Sequence, residues 1–230
     1  MSLLDAVIET GLIPEDSASR EVKKAYSETL SHHLAVELGE GLRAVGFPKV
    51  KPVRGGPGEK EFQGGLGPKK VDVSYADERH GLLLAVSIKT INFAPFGKNL
   101  KNRFGDLCTE AITLHMRFPY SVVCALFAFP LACDRDTGDG NRRISSTFER
   151  ATKLFATISG REEYTDPCEK FENVTMMLYR PLMAENAPPS VRLVDAITGR
   201  EMAEPEYFRM LRDIFNRRNP HAVIDAFSDD

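Results

Sequence analysis

Two ionisable residues in one short stretch of the chain stand where a buried strand would ordinarily carry apolar side chains. Residues 69–93 predict two strands joined by a charged turn, with Asp72 between two valines in the first strand and Lys89 at the end of the second. Burying a carboxylate or an ammonium costs free energy unless a partner compensates the charge. A cleft at the strand ends, where a cation and an anion supply those partners, would explain both residues. On these two residues alone, a salt bridge or a strand end that reaches solvent remains an open alternative.

The helix predicted after this hairpin, residues 99–118, carries two carboxylates and two arginines at spacings that place them on one face. The polar residues of this face are Arg103, Asp106, Glu110, Thr113 and Arg117. Carboxylates bind hard cations such as Mg²⁺, which keeps waters and open positions for substrate phosphate, and arginines bind phosphate. The pattern therefore suits a site that holds a metal ion and a phosphate. A solvated stripe of mixed charge is the alternative.

In the order of these residues, the chain resembles the PD-(D/E)xK nuclease superfamily, which includes many type II restriction endonucleases. Asp72 matches the aspartate of the motif and Lys89 its lysine, whereas Val71 stands in place of proline and Ser87 in place of the usual acid. A subgroup of restriction enzymes has the same Ser-x-Lys ending and takes its second acid from the following helix. Glu110 is the matching acid in this chain.

The resemblance extends over residues 35–120 at most, and it implies a role for each matched residue. Asp72 and Glu110 would bind one or two Mg²⁺ ions beside the scissile phosphate. Lys89 would steer the attacking water and stabilise the negative charge that develops on the phosphoryl oxygens.

The resemblance also implies a further metal ligand, since members of the superfamily often place a glutamate on an N-terminal helix near the metal. Glu37 is the preferred candidate and Glu40 the other, although either could be a surface charge. DNA contacts are expected from basic residues around the site, most of them to backbone phosphates. The candidates are Arg103, Arg117, Lys69, Lys70, Arg142 and Arg143.

Periodicity and turn residues along the chain predict a single α/β domain. Helices are expected over 2–12, 19–44, 99–118, 145–159 and 204–218. Besides the hairpin, strands are expected over 61–63, 120–130, 173–182 and 190–198. Because strands alternate with helices, we expect a mixed central β-sheet flanked by helices, the architecture that the resemblance also implies. Residues 1–47 would form a helical N-terminal part and residues 48–230 the α/β core.

Composition restricts the possible classes of protein. The net charge of −3 argues against a protein that coats nucleic acid non-specifically, although a local basic patch could still bind DNA. No apolar run approaches the ~20 residues that span a bilayer, and the first residues lack the basic start of a secretory signal. The four cysteines show no Cys-x-x-Cys spacing, so we expect reduced thiols and a cytoplasmic location.

These observations together favour a Mg²⁺-dependent endonuclease that cuts double-stranded DNA, with a type II restriction endonuclease acting as a homodimer as the specific expectation. A nuclease of another kind, such as a repair or abortive-infection effector, is an intermediate possibility. The alternative from a different class is a non-catalytic α/β interaction module of a defence or toxin system, in which the charged helix face would be a protein interface.

Overall fold

A computed structural model describes residues 2–136, 145–183 and 187–224. Within these residues the chain forms eight strands in two sheets. The strands are β1 (Lys60–Gly64), β2 (Gly67–Val71), β3 (Val73–Asp77), β4 (Gly81–Thr90), β5 (Val122–Pro130), β6 (Asn173–Arg180), β7 (Ser190–Asp195) and β8 (Glu201–Met202). A six-stranded sheet has the order β3-β4-β5-β6-β7-β8, and β1 and β2 form a separate antiparallel pair. In the main sheet β4, β5 and β6 are parallel and the outer pairings are antiparallel, which confirms the predicted mixed α/β sheet.

Helices cover both faces of this sheet. In the described residues the α-helices are α1 (Leu3–Thr10), α2 (Arg20–Ala44), α3 (Leu100–His115), α4 (Thr147–Ala156) and α5 (Glu204–Arg218). Serine side chains cap three of them by accepting backbone N–H groups, a common N-cap arrangement; they are Ser2, Ser19 and Ser146. None of these helices is both long and apolar enough to cross a membrane.

The side-chain alternation of β5 shows how the two helix layers pack. Cys124 and Leu126 contribute to the core shared with α1, α2 and α5, whereas Val123 and Phe127 contribute to the core shared with α3 and α4. Every residue of β5 is buried, as the continuous apolar run in the sequence predicts for a buried strand. The four cysteines are free thiols, as expected.

The β1–β2 hairpin lies against α3 and leads the chain into the main sheet. Gly65 donates a backbone hydrogen bond of 2.7 Å to the carbonyl oxygen of Thr113. A Cβ atom at Gly64 would come within 2.4 Å of the Thr113 side chain, so only glycine allows this approach. The hairpin is thereby held close to the C-terminal end of α3.

Two boundaries differ from the prediction in ways that affect the site. The strand predicted through Asp72 is interrupted there, because β2 ends at Val71 and β3 begins at Val73. These two valines, which would share a face in a regular strand, are buried in opposite core layers, so the chain bends at Asp72 as it passes between the sheets. Helix α3 ends at His115, three residues before the predicted end, so Arg117 lies outside it.

Candidate active site

Strand β4 presents Ser87 and Lys89 to the layer that contains α3. Val86 and Ile88 belong to the core under α2 and α5, and successive residues of a strand point to opposite faces. Glu110 lies on the face of α3 that packs on the sheet, since it is spaced three or four residues from other buried residues of the helix. Its side chain therefore points toward the same region as Ser87 and Lys89. The β4–α3–β5 crossover therefore brings a helix residue onto the end of the strand that precedes it.

The carboxylate of Glu110 is the centre of a polar cluster. Its side chain is only 1% exposed. Glu110 Oε1 accepts a hydrogen bond of 2.8 Å from Ser87 Oγ, and Glu110 Oε2 lies 2.9 Å from Lys89 Nζ and 3.1 Å from Lys69 Nζ. One buried carboxylate thus receives a hydroxyl and two ammonium groups from two different sheets. These four residues and Asp72 together form the Glu110 cluster.

Asp72 joins this cluster at the bend between β2 and β3. Asp72 Oδ2 accepts a hydrogen bond of 2.6 Å from the backbone N–H of Ile88, so the carboxylate satisfies a strand donor just beyond the β3–β4 pairing. The pKa of Asp72 is raised to about 6, chiefly by burial; Lys89 opposes this rise and the nearby Glu110 carboxylate adds to it. Asp72 is thus an acid whose ionised form is poorly compensated.

Glu110 and Lys89 have pKa values that favour ionisation. Burial by itself raises the pKa of Glu110, but Lys89, Lys69 and the Ser87 hydroxyl together bring it below its ordinary value. Burial by itself lowers the pKa of Lys89, but Glu110 and Asp72 together bring it above its ordinary value. Glu110 and Lys89 are therefore a charged pair at neutral pH, whereas Asp72 is the group with a deficit of positive charge.

The cluster suits a divalent cation with few protein ligands. Among the described residues there is no group of three or more histidine, cysteine, aspartate or glutamate side chains that could hold a metal. Mg²⁺ does not need such a cage, since it commonly binds through one or two carboxylates and keeps water and substrate phosphate in its other positions. Asp72 and Glu110 are two carboxylates close enough to repel one another, and a bound cation would offset the repulsion that raises the pKa of Asp72. These two residues would hold the ion.

The predicted polar stripe of α3 is divided between interior and surface. Glu110 and Thr113 are buried, whereas Arg103 and Asp106 are exposed and form an ion pair of 3.2 Å. Arg103 still lies near the cluster, since its charge acts on the pKa of Lys89 by lowering it. The stripe is therefore not one solvated face.

Arg117 is placed elsewhere. It is exposed, lies beside the Phe118 ring, and borders a cavity of about 520 Å³ that Leu82 and Arg218 also line. Leu82 stands at the start of β4 and Lys89 near its end, roughly 23 Å apart at ~3.3 Å per residue. The structure thus does not bring Arg117 to the Glu110 cluster.

The two glutamates proposed from α2 are held by arginines. Glu37 is buried and pairs with Arg54, which also contacts Glu9 at 3.2 Å. Glu40 pairs with Arg43 at 2.6 Å, and Arg43 in turn donates hydrogen bonds to backbone carbonyls of the following loop. No metal-binding group of three such side chains exists in the described chain, so the structure does not join Glu37 or Glu40 to Asp72 and Glu110.

The remaining basic candidates separate into three cases. Lys69, expected only as a DNA contact, is part of the Glu110 cluster, and the alternation of β2 places Lys70 on the exposed side of the same strand. Arg142 and Arg143 lie outside the described residues. Neither the contact of Lys69 with Glu110 nor the hydrogen bond from Ser87 was found from the sequence. The alternation of β2 was the available signal, since it separates the side chains of the two lysines.

A scan against protein-family models finds no match, and searches of curated proteins and of solved structures find no significant match either.

Proposed function

We propose that this protein is a Mg²⁺-dependent endonuclease that hydrolyses phosphodiester bonds of double-stranded DNA, with the Glu110 cluster as its active site. The observation that supports this most is the placement of Glu110. A glutamate from the helix after β4 contacts both Ser87 and Lys89 of that strand, with Asp72 at the neighbouring strand end. This is the arrangement expected of a PD-(D/E)xK enzyme whose second acid has moved from the strand to the helix.

The charges of the cluster suit a phosphodiester substrate. Asp72 and Glu110 carry two negative charges, and Lys69 and Lys89 carry two positive charges, so the four side chains cancel one another. The positive charge of a bound cation would therefore not be neutralised by the protein, and it would attract an anionic substrate. When bound, the ion would stabilise the phosphoryl oxygens as a Lewis acid and make a bound water more acidic. A phosphodiester under attack by hydroxide carries about two negative charges, which complements this site.

Each side chain has a distinct task in this proposal. Asp72 and Glu110 hold the cation, and Ser87 fixes the orientation of the Glu110 carboxylate through its hydrogen bond. Lys89 is 16% exposed, so its ammonium reaches the rim of the cluster, where it can orient the attacking water and stabilise an anionic oxygen. Arg103, exposed at the first turn of α3, would contact a backbone phosphate and position the DNA.

The finer proposal is that the protein is a type II restriction endonuclease that acts as a homodimer in the cytoplasm. It is supported by the Ser-x-Lys order of residues 87–89 and by the symmetry of many duplex recognition sites, which calls for a two-fold symmetric protein. Fragments with defined ends would distinguish a restriction enzyme from a non-specific nuclease, and sedimentation with a duplex would test the dimer.

One observation favours the second candidate, a non-catalytic interaction module. Glu110 is already neutralised by two ammonium groups without any metal, so the cluster can serve as a self-sufficient buried ion-pair network that fixes the β1–β2 hairpin on α3. Such a network would need no substrate.

Cleavage of supercoiled plasmid separates the two candidates. The wild-type protein should cut in Mg²⁺ and not in EDTA. Lys89→Met should abolish cutting while Lys153→Met, a matched change of an exposed lysine on α4, should leave it unchanged. An interaction module would cut in none of these conditions although all three proteins fold, which circular dichroism would show.

A further inference from the structure

Two lysines contact one oxygen atom of Glu110, and only one of them belongs to the strand motif. Lys89 Nζ lies 2.9 Å and Lys69 Nζ lies 3.1 Å from Glu110 Oε2, so the two ammonium nitrogens are at most about 6 Å apart. One ammonium would neutralise one carboxylate. The second adds repulsion between like charges, which the Glu110 carboxylate offsets by attracting both ammonium groups.

The two lysines differ in how firmly the fold holds them. Lys89 lies in β4, which is paired on both sides in the main sheet, and its side chain is 16% exposed. Lys69 lies in β2, whose described strand partner is β1 alone, and its side chain is 31% exposed. Lys69 is therefore the ammonium that can turn toward solvent without disturbing the main sheet.

The position of Lys69 on Glu110 is the position a metal ion would need. Glu110 Oε1 accepts the Ser87 hydrogen bond and Oε2 contacts both lysines, so a cation that binds through Oε2 must take the place of one of the two ammonium groups. If a divalent cation and the ammonium groups of both Lys69 and Lys89 all contacted Glu110 Oε2, the three positive charges would repel one another strongly. Occupation by Lys69 and occupation by a metal ion therefore compete.

We propose that Lys69 is a displaceable cation that holds Glu110 in the metal-free protein and lowers the affinity of the site for divalent metal ions. When the metal binds, Lys69 leaves Glu110 and its ammonium becomes available to a phosphate of the substrate. This inference rests on the proposed function, since it assigns Lys69 a role at the same metal site. Lys69 is a positioning residue here, because it acts through Glu110.

The inference predicts an unusual direction for a charge-removing substitution. Lys69→Met should bind Mn²⁺ more tightly than the wild type, by about five- to tenfold, since a partly exposed ion pair contributes little more than that. Lys70→Met is the matched control and should bind with wild-type affinity. Lys69→Arg keeps the positive charge and should not gain affinity, which separates loss of charge from any loosening of the hairpin.

Isothermal titration of MnCl₂ into the metal-free wild type and the three lysine variants measures the affinity for Mn²⁺. Asp72→Asn is the control for the site, since the heat of binding should disappear in this variant if the ion binds there. Tighter binding by Lys69→Met alone supports the inference. Wild-type binding with unchanged or weaker affinity in Lys69→Met overturns it and leaves the proposed function standing. Absence of Mn²⁺ binding in both proteins, with no plasmid cleavage by the wild type, overturns the proposed function and this inference with it.

Discussion

The hydroxyl of Ser87 donates a hydrogen bond of 2.8 Å to Glu110 Oε1. Ser87 stands at the strand position where most PD-(D/E)xK motifs have an acid, and Glu110 is the helix residue proposed to replace that acid. Both side chains are buried. The serine is thus not inert at this position. It orients the carboxylate that comes from α3.

This relationship predicts a modest effect on catalysis and a clear effect on stability when the hydroxyl is removed. Ser87→Ala should keep cleavage within about tenfold of the wild type, because the alanine removes no metal ligand. It should lower the free energy of unfolding by about 2 kcal/mol, since a buried charged acceptor loses its donor. Urea denaturation and plasmid cleavage on the same preparations measure both. Loss of all cleavage with unchanged stability would contradict the orienting role.

The raised pKa of Asp72 predicts a pH dependence of stability with a defined sign. An acid whose pKa is about 6 in the folded protein and 3.8 when unfolded holds its proton more tightly when folded. Its contribution to stability is therefore fully present below pH ~4 and is lost as the pH rises through 6, by about 3 kcal/mol. Asp72→Asn keeps a neutral side chain, so it should gain stability over the wild type as the pH rises from 4 to 7.

Denaturant unfolding of metal-free wild type and Asp72→Asn at pH 4, 5, 6 and 7 measures that difference. Glu110 acts in the opposite direction and in a lower range, because its lowered pKa gives stability that is lost as the pH falls below its ordinary value of 4.5. Asp72→Asn also removes the repulsion between Asp72 and Glu110, so the change in the difference between pH 5 and 7, above the range in which Glu110 titrates, is the part that belongs to Asp72. A difference that stays constant between pH 4 and 7 would show that Asp72 is not perturbed.

The positions of two arginines predict unequal effects on DNA binding. Arg103→Ala should weaken binding of duplex DNA in EDTA and reduce the slope of log affinity against log salt by about 1, as expected for one lost phosphate contact. Arg117→Ala should change neither, because Arg117 borders a cavity near the start of β4, away from the Glu110 cluster. Fluorescence anisotropy over a range of salt measures both. Equal effects of the two substitutions would argue for a much broader DNA surface.

The pairing of Glu37 with Arg54 predicts that Glu37 takes no part in metal chemistry. Glu37→Gln should retain plasmid cleavage within about threefold of the wild type. A substitution of a charged residue that does not contact the reacting groups mainly changes the stability of the protein and not its catalytic rate. It should lower the melting temperature, since Arg54 loses a buried partner. Cleavage assays below that temperature measure this, and a loss comparable to that of an Asp72 variant would return Glu37 to the site.

Much of the fold follows from periodicity and from local chemistry. The continuous apolar run of β5 predicted a buried strand, and Ser19 and Ser146 mark the starts of α2 and α4. His115, near the end of α3, is buried with Nε2 at 3.4 Å from Glu172. Such features depend on residues close in sequence or on one helical face.

The composition of the site depends on packing between distant elements, so the sequence predicted less of it. Lys69 reaches Glu110 only because the hairpin packs on α3 through Gly64 and Gly65, a contact that no local pattern encodes. Glu37 turns to Arg54 because of the path of a Gly- and Pro-rich loop. The position of Glu110 against Ser87 was implied by resemblance to a family, and neither spacing nor composition could have supplied it.

Plasmid cleavage in Mg²⁺ by Glu110→Gln, compared with Asp106→Asn, is the measurement that decides whether the helix acid is catalytic. The two carboxylates lie one helical turn apart on α3, but Glu110 is buried in the cluster and Asp106 is exposed in an ion pair with Arg103. Glu110→Gln should lose nearly all cleavage and Mn²⁺ binding, because the ion loses one of two charged ligands, whereas Asp106→Asn should cut like the wild type. Wild-type cleavage by Glu110→Gln would contradict the assignment of this cluster as a metal-dependent nuclease site.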